Sequence, residues 1–307
     1  MSDRRAKIGL VLSAGIDDPF GHAAYLGIER AVRELEVKGR VLVPTPKEGF
    51  APSLSFLARQ KYDLVVANGV QVAAALDAVA LKFPDQKFAL VDADRSALPH
   101  RPRNVQGIEF REEEAGFLVG RIAVLALDLG RGERVVSAVG GDPVPAVQKY
   151  IAGYEAGARA VDPNLTTLRG YTNGFFDSRK ARSVALGQIA QGSRVVFQVA
   201  GASGVGALEA AKEQGVWGIG VDVDQSQLGP HVLTSALKRI DVAVFDTIER
   251  FVGGTLETGG TSVFALRNGG VGLGSISPEA PPAVVAEIER VTNEIVAGTI
   301  SIPAPIT

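Results

Sequence analysis

Trp217–Lys238 reads WGIGVDVDQSQLGPHVLTSALK. A short apolar run leads to Asp222 and Asp224, a polar turn follows, and a second apolar run, Val232–Leu237, stops at Lys238. Brief apolar runs bounded by turn residues are the pattern of strands buried on both faces. The stretch predicts two strands whose ends deliver an acid and a base to one cleft.

The same plan of strand, polar tip and helix repeats outward in both directions. Toward the N-terminus, Arg194–Val199 is a strand and Val205–Gln214 a helix; Thr167–Tyr171 and Ser178–Ala190 form another such pair, and Arg134–Val139 with Ala146–Val161 a third. An earlier run of the same kind starts at Ile8–Ser13, continues through strands at Val41–Val43, Asp63–Ala67, Lys87–Val91 and Val105–Phe110, and closes with a helix at Glu112–Leu127. The helices of that run are expected at His22–Leu35, Ser53–Gln60 and Gln71–Phe83. After Lys238 come a helix at Asp241–Phe251, a strand at Val263–Leu266, the glycine-rich Asn268–Gly274 and a last helix from Pro282 to Val296. Strands alternating with helices imply a parallel sheet covered on both faces. Two successive runs therefore predict an α/β protein of two doubly wound parallel-sheet lobes, joined by short crossovers because no long linker separates them.

The bulk properties narrow the function. At 307 residues the chain suits two lobes better than one core. Its formal net charge of −2 argues against nucleic acid as the main partner, since phosphate binding normally shows as a basic surplus. There is no cysteine, which removes disulfides, thiolate catalysis and Cys-ligated metals. His22, His100 and His231 are the only histidines and form no spaced pair, so no metal site is expected. No apolar stretch approaches the roughly 18 residues of a membrane helix, and Ile8–Leu12 reads as a buried strand and not as a secretion signal.

Open parallel sheets bind ligands beyond the carboxyl ends of their strands. The polar tips at those ends are Asp17/Asp18, Asn68, Asp92/Asp94, Asp142, Asn173–Asp177, Gly201–Gly204, Asp222/Asp224 and Lys238. Each alone is as well explained by a helix cap or a turn; their recurrence suggests a cleft between lobes. Phe20 and Phe175 each stand in a polar strand-end segment, where an aromatic ring either packs under the loop or stacks on a ligand, with Phe176 the alternative to Phe175. Gly201–Gly206, GASGVG, lacks the G-x-G-x-x-G spacing of a dinucleotide site, although Asp222 and Asp224 lie about as far beyond it as such a site requires. No G-x-S-x-G elbow, phosphate-binding G-x-x-x-x-G-K-[ST] loop or H-E-x-x-H helix is present.

Several stretches resemble one family in order along the chain: GIDDPFGHAAYLGIERA, VQGIEFREEEAGFLVGRIA, FQVAGASGVGALEAAKEQG, IGVDVDQ, VLTSALKRIDVAVFD and LRNGGVGLGS. They are similar to the basic membrane protein (BMP, PnrA-like) substrate-binding proteins of ABC transporters. The resemblance implies a type I periplasmic-binding-protein fold, with residues 1–108 and 239–268 in the first lobe and 109–238 and 269–307 in the second. It implies hinge-like capture of a purine nucleoside such as adenosine, guanosine or inosine, with an ABC permease as partner, no cofactor, no enzymatic turnover and a monomeric state. By motif, Phe20 and Phe175 would sandwich the base and Asp92 would meet its polar edge. Asp222 and Lys238 would hold the ribose hydroxyls, Gly201 would admit the ligand to the backbone, and Asp17 would shape the first loop; Asn68 lies at a neighbouring strand end. The family's first loop commonly reads Asp-Lys-Ser-Phe-Asn, whereas Phe20 here precedes Gly21 and His22, which makes His22 the substitute for base recognition or riboflavin the ligand instead. A nucleoside-acting or NAD-dependent enzyme is the rival class. The family places the protein outside the cytoplasm as a membrane-associated lipoprotein, with the signal and lipid-anchor cysteine absent from this chain.

Overall fold

The computed structural model describes residues 5–45, 47–127 and 134–302. In chain order the elements are β1 (Lys7–Leu12), α1 (Pro19–Glu34), β2 (Lys38–Leu42), α2 (Ala51–Arg59), β3 (Leu64–Asn68), α3 (Ala73–Lys82), β4 (Lys87–Val91), β5 (Val105–Phe110) and α4 (Glu112–Leu125). There follow β6 (Val135–Gly140), α5 (Pro145–Val161), β7 (Thr166–Tyr171), α6 (Ser178–Ala190), β8 (Ser193–Val199), α7 (Gly204–Glu213), β9 (Trp217–Asp222) and β10 (Val232–Lys238). The chain closes with α8 (Ile240–Val252), β11 (Thr261–Phe264), β12 (Val271–Leu273) and α9 (Pro282–Val296).

The described residues divide into two compact units, one running to Phe110 and resuming at Arg239–Phe264, the other holding Arg111–Lys238 and the chain from Ala265 onward. The chain thus passes between units after Phe110, after Lys238 and after Phe264. Each unit has its own six-stranded sheet, ordered β11-β5-β4-β3-β1-β2 in the first and β12-β10-β9-β8-β6-β7 in the second. Five strands of each follow one topology, and the last strand is added after the chain has crossed again. All neighbours are parallel except β12, which pairs antiparallel with β10. That edge strand lies inside the glycine-rich Asn268–Gly274, where the missing side chains hide the strand pattern from a sequence reading.

In the first unit, Val11, Val65 and Phe88 pack with Leu54 and Leu57 of α2 and Leu76 of α3 on one face of the sheet. Strand alternation turns Leu10 and Leu12 to the other face, where α1 and α8 cover it. In the second unit, α6 and α7 cover one face with Ala181, Ala185, Ala207, Ala210 and Ala211 against Val139 and Val196. On the opposite face Tyr150 and Tyr154 of α5 pack on Phe197 of β8, with ring centroids 6.0 and 5.2 Å away. Burying each such aromatic or aliphatic side chain contributes about 1.5–3 kcal/mol, which is why these residues decide how the helices seat.

Helix α4 touches α5 more closely than ordinary side chains allow. A β-carbon on Gly116, Gly120, Gly153 or Gly157 would collide with the backbone of Tyr150, Tyr154, Glu113 or Phe117 respectively. The two glycine pairs, each four residues apart, let the backbones meet directly. They fix the first turn of α4 against Lys149 and Tyr150 of α5, which matters for the site.

Candidate functional site

In sheets with this strand order the switch point, where the order reverses, is where ligands bind. In the first unit it lies between the carboxyl ends of β1 and β3, and in the second between those of β6 and β8. The strand-end residues singled out from the sequence lie along the carboxyl ends of the two sheets, Asp17, Asn68 and Asp92 in the first and Phe175, Gly201, Asp222 and Lys238 in the second.

The first edge is built by the β1–α1 turn. Asp18 caps α1, its carboxylate accepting from the N–H groups of Phe20 (2.9 Å) and Gly21 (3.2 Å). Pro19 then occupies the first helical turn, where its fixed φ and missing N–H cost nothing. Helix α1 therefore begins earlier than the expected His22. Phe20, half-buried, and His22, exposed, belong to its first turns and not to a loop. Gly21 has a reason that the family comparison of the loop did not supply: a β-carbon there would strike the carbonyl of Gly15. The tight turn requires glycine directly after Phe20. Asp17 stays exposed, since Asp18 does the capping.

Asn68 ends β3 fully buried, and neither its amide nitrogen nor its amide oxygen makes a hydrogen bond. Asp92 follows β4 with φ +69°, a left-handed conformation that Asp tolerates better than most residues. Its neighbour Asp94 is occupied as a cap, accepting from the N–H of Ser96 at 2.7 Å. The helix expected over Gln71–Phe83 starts as a tighter turn at Val70–Val72 before α3.

The second edge centres on Phe175. Its ring lies against Gly141, just after β6, so closely that a β-carbon on Gly141 would overlap it; the same construction on Gly201, just after β8, comes to 3.4 Å. The loop is pinned from below. The Ser203 N–H donates to the carbonyl of Phe175 (2.9 Å), and the Asp177 N–H donates to the Ser203 hydroxyl (2.8 Å). Asp177 also caps α6 through the N–H of Lys180. Phe176 is 72% exposed, so Phe175 is the ring that the fold seats.

The glycines of GASGVG are consumed by packing. Gly204 abuts the side chain of Gln198, and Gly206 abuts the backbone of Ser178. Gly201 takes φ +54° at the entry of a short tight turn ahead of α7.

Asp222 ends β9 with φ +64°, in register with Leu237 of β10, one residue before Lys238. Asp224 is committed elsewhere: it accepts from the N–H groups of Ser226 (3.0 Å) and Ser275 (3.0 Å) and from the Ser275 hydroxyl (2.6 Å). Burial pushes its carboxyl up, but these hydrogen bonds outweigh it and hold the acid below its usual range. Asp224 thus ties the β9 end to the segment after β12, while Asp222 stands at the edge.

Lys238 is only 3% exposed. Its ammonium lies 3.0 Å from Glu112 Oε1 and 5.5 Å from the centre of the Tyr150 ring. The other Glu112 oxygen is 3.5 Å from the Lys149 ammonium. Glu112 is 2% exposed and was not among the residues expected from the sequence. Acids in the first turn of a helix are ordinarily accounted for by the helix dipole alone. The signal that pointed further was the lysine itself, since a charge ending a buried strand needs a counter-charge. Glu113 next to it is equally buried; desolvation raises its carboxyl above the ordinary range, against the opposing charges of Lys149 and Arg111. Glu114 accepts from the N–H of Leu266 at 2.7 Å, and burial raises it too.

Among the described residues no group of three or more His, Asp or Glu side chains could hold a metal ion. No helix there is long and apolar enough to cross a membrane.

A family model described as ABC transporter substrate-binding protein PnrA-like matches residues 5–305. An uncharacterized lipoprotein of Pyrococcus horikoshii is 38% identical over 269 residues, 83% of this chain and 65% of its own length; the chain thus spans about two thirds of that relative. Basic membrane protein A of Borreliella afzelii is 30% identical over 302 residues, covering 97% of this chain and 91% of that protein. A solved ABC transporter solute-binding protein from Aeropyrum pernix K1 superimposes with a TM-score of 0.86 at 27% identity, over 98% of this chain and 94% of the other.

Proposed function

The chain belongs to the PnrA-like (Bmp) family of ABC transporter substrate-binding proteins, and from that premise we propose that it captures a purine nucleoside for an ABC importer. The observation that carries the reading is the seat of Phe175. A half-buried ring is laid on Gly141 beside Gly201, at the switch point of a parallel sheet, in an otherwise polar segment. A ring held in that way offers a flat apolar face to a planar base, a stacking arrangement worth about 0.5–1.5 kcal/mol beyond area burial.

In this proposal Phe20 supplies the second aromatic face and Asp92 the acceptor for the base edge, with His22 and Asn68 as further polar groups. Asp222 and Lys238 take the ribose hydroxyls, a carboxylate accepting and an ammonium donating. Gly201 keeps the backbone clear and Asp17 shapes the first loop. Adenosine, guanosine and inosine are the ligands of this class, and the permease reads the ligand-bound form because ligand contacts favour that form over the open one. The protein acts as a monomer outside the cytoplasm and turns nothing over. The relatives named lipoprotein and basic membrane protein support an extracytoplasmic place.

Mass spectrometry of small molecules released from the purified, gently desalted protein tests the ligand class. Recovery of a purine nucleoside in near-stoichiometric amount is expected. Recovery of a flavin or a sugar instead would overturn the nucleoside assignment.

A further inference from the structure

Asn68 closes β3 at the switch point of the first sheet, fully buried, with neither end of its amide hydrogen-bonded. Its in-register neighbours, Leu12 of β1 and Val91 of β4, are apolar and equally buried. Strand alternation sends Val65 and Ala67 to the face under α2 and α3, so Asn68 turns to the opposite face, the one on which Phe20 and His22 begin α1. The fold makes no use of the amide. Main-chain bonds hold the strand end: the Ser13 N–H donates to the Asn68 carbonyl (3.1 Å), and the Gly69 N–H donates to the Val91 carbonyl (3.1 Å). Gly69, at φ +105°, takes the sharp departure of the chain, and a β-carbon there would strike Ser13 Oγ and Gln71 Oε1. A buried amide that bonds to nothing is destabilising, whereas an apolar side chain of like bulk in its place is not. Such a group needs a reason outside the packing of the fold.

We propose that Asn68 determines specificity: its amide meets the edge of the bound base with a pair of hydrogen bonds, the nitrogen donating and the oxygen accepting. The inference deepens the nucleoside reading and rests on it. A primary amide matches any ring edge that carries a donor and an acceptor side by side. Adenine offers N6–H beside N1 or N7; hypoxanthine and guanine offer N1–H beside O6. Turning the amide over exchanges its two ends, so one residue serves both kinds of base. It thereby selects purines that carry a polar group at position 6. Purine riboside, which has none, presents only acceptors there and satisfies one end of the amide at most. Since the amide is enclosed, the strand-end segments beside it part to admit the base, as in proteins that close over a ligand.

The test titrates adenosine, guanosine, inosine and purine riboside into the wild-type protein, Asn68→Val and Asn68→Ala, and measures the urea midpoint of each protein without ligand. Wild type is expected to bind at least one of the three 6-substituted nucleosides about tenfold or more tightly than purine riboside, the scale of a hydrogen bond lost at a buried partner. Both variants are expected to narrow that gap to about threefold or less, mainly by weakening the 6-substituted nucleosides. Stability should move the other way. Asn68→Val adds slight bulk and Asn68→Ala removes some, so at least one of them should match or exceed the wild-type midpoint, because each removes two unsatisfied polar groups. Both variants unfolding, or both melting in clearly less urea than wild type, would make the amide a structural element and overturn the proposal. A gap that persists in the folded variants, or wild type that binds all four nucleosides alike, overturns the role of Asn68 and leaves the nucleoside reading standing. Wild type that binds none of the four refutes the functional reading itself, and this inference with it.

Discussion

The ring of Phe175 and the α-carbon of Gly141 are in direct contact, with no room between them for a methyl group. Gly141 follows β6 and Phe175 follows the neighbouring edge strand β7, so the contact joins two adjacent strand ends beside the switch point that lies between β6 and β8. The obstacle is a side chain and not backbone, which makes the consequence local. Gly141→Ala is expected to push the ring off its seat and weaken nucleoside binding by about tenfold, the scale of one lost stacking contact. The melting temperature of the ligand-free protein should change by only a few degrees. Paired calorimetric titration and thermal melts check this; full affinity in the variant would show that the ring's seat is irrelevant to binding.

The α4–α5 seam gives the opposite outcome. A β-carbon on Gly120 meets the Tyr154 carbonyl, which cannot step aside without moving α5. Gly120→Ala should destabilise the second unit by about 1–3 kcal/mol, as overpacking does. Gly187, inside α6, faces open space, so Gly187→Ala should stabilise by about 0.5–1 kcal/mol through the lost freedom of the unfolded chain. Urea unfolding of the two variants beside wild type separates them by sign.

Glu113 links burial to pH. Desolvation raises its folded-state carboxyl above the usual 4.5, so the folded protein keeps a proton that the unfolded chain has released. Stability from this group is therefore full at low pH and declines as pH rises from 4.5 through the raised value. Glu113→Gln removes the titration. Urea midpoints measured from about pH 4 to about pH 8 should show the variant gaining on wild type as pH rises. A constant difference across that range would contradict the assignment.

Asp222 and Asp224 are two residues apart and should respond differently. Asp222→Asn keeps a side chain that tolerates φ +64° while removing the charge. It is expected to weaken nucleoside binding by at least about tenfold, the cost of a charge-assisted hydrogen bond. Asp224→Asn loses part of the three-bond tie to Ser226 and Ser275. Because those bonds lower the carboxyl of Asp224, its contribution to stability is present at neutral pH and lost as pH falls through the lowered value. The variant should melt earlier at neutral pH and converge with wild type in acid.

The alternation of β and α, and the two sheets it builds, were legible because parallel strands buried on both faces must be short apolar runs, as at Ile8–Leu12 and Arg194–Val199. The strand ends followed from that alternation, which is why Asn68, Asp92, Asp222 and Lys238 could be placed on sheet edges. Three things were hidden for physical reasons. Strand β12 is only three residues long, with Gly272 at its centre and glycines on both flanks, so only its pairing with β10 reveals it. The start of α1 turns on which of two adjacent aspartates caps it, a choice made by the geometry of Phe20 and Gly21. The partnership of Glu112 with Lys238 joins residues far apart in sequence, and no periodicity encodes it. The motif already favoured Asp222 over Asp224; folding adds the tie of Asp224 to Ser275.

Isothermal titration with adenosine, guanosine, inosine and riboflavin tests the central claim most directly. The account predicts saturable heat at one site per chain with at least one of the purine nucleosides, weakened in Asp222→Asn and in Phe175→Leu. Binding of riboflavin alone, or no heat with any purine nucleoside, would contradict it.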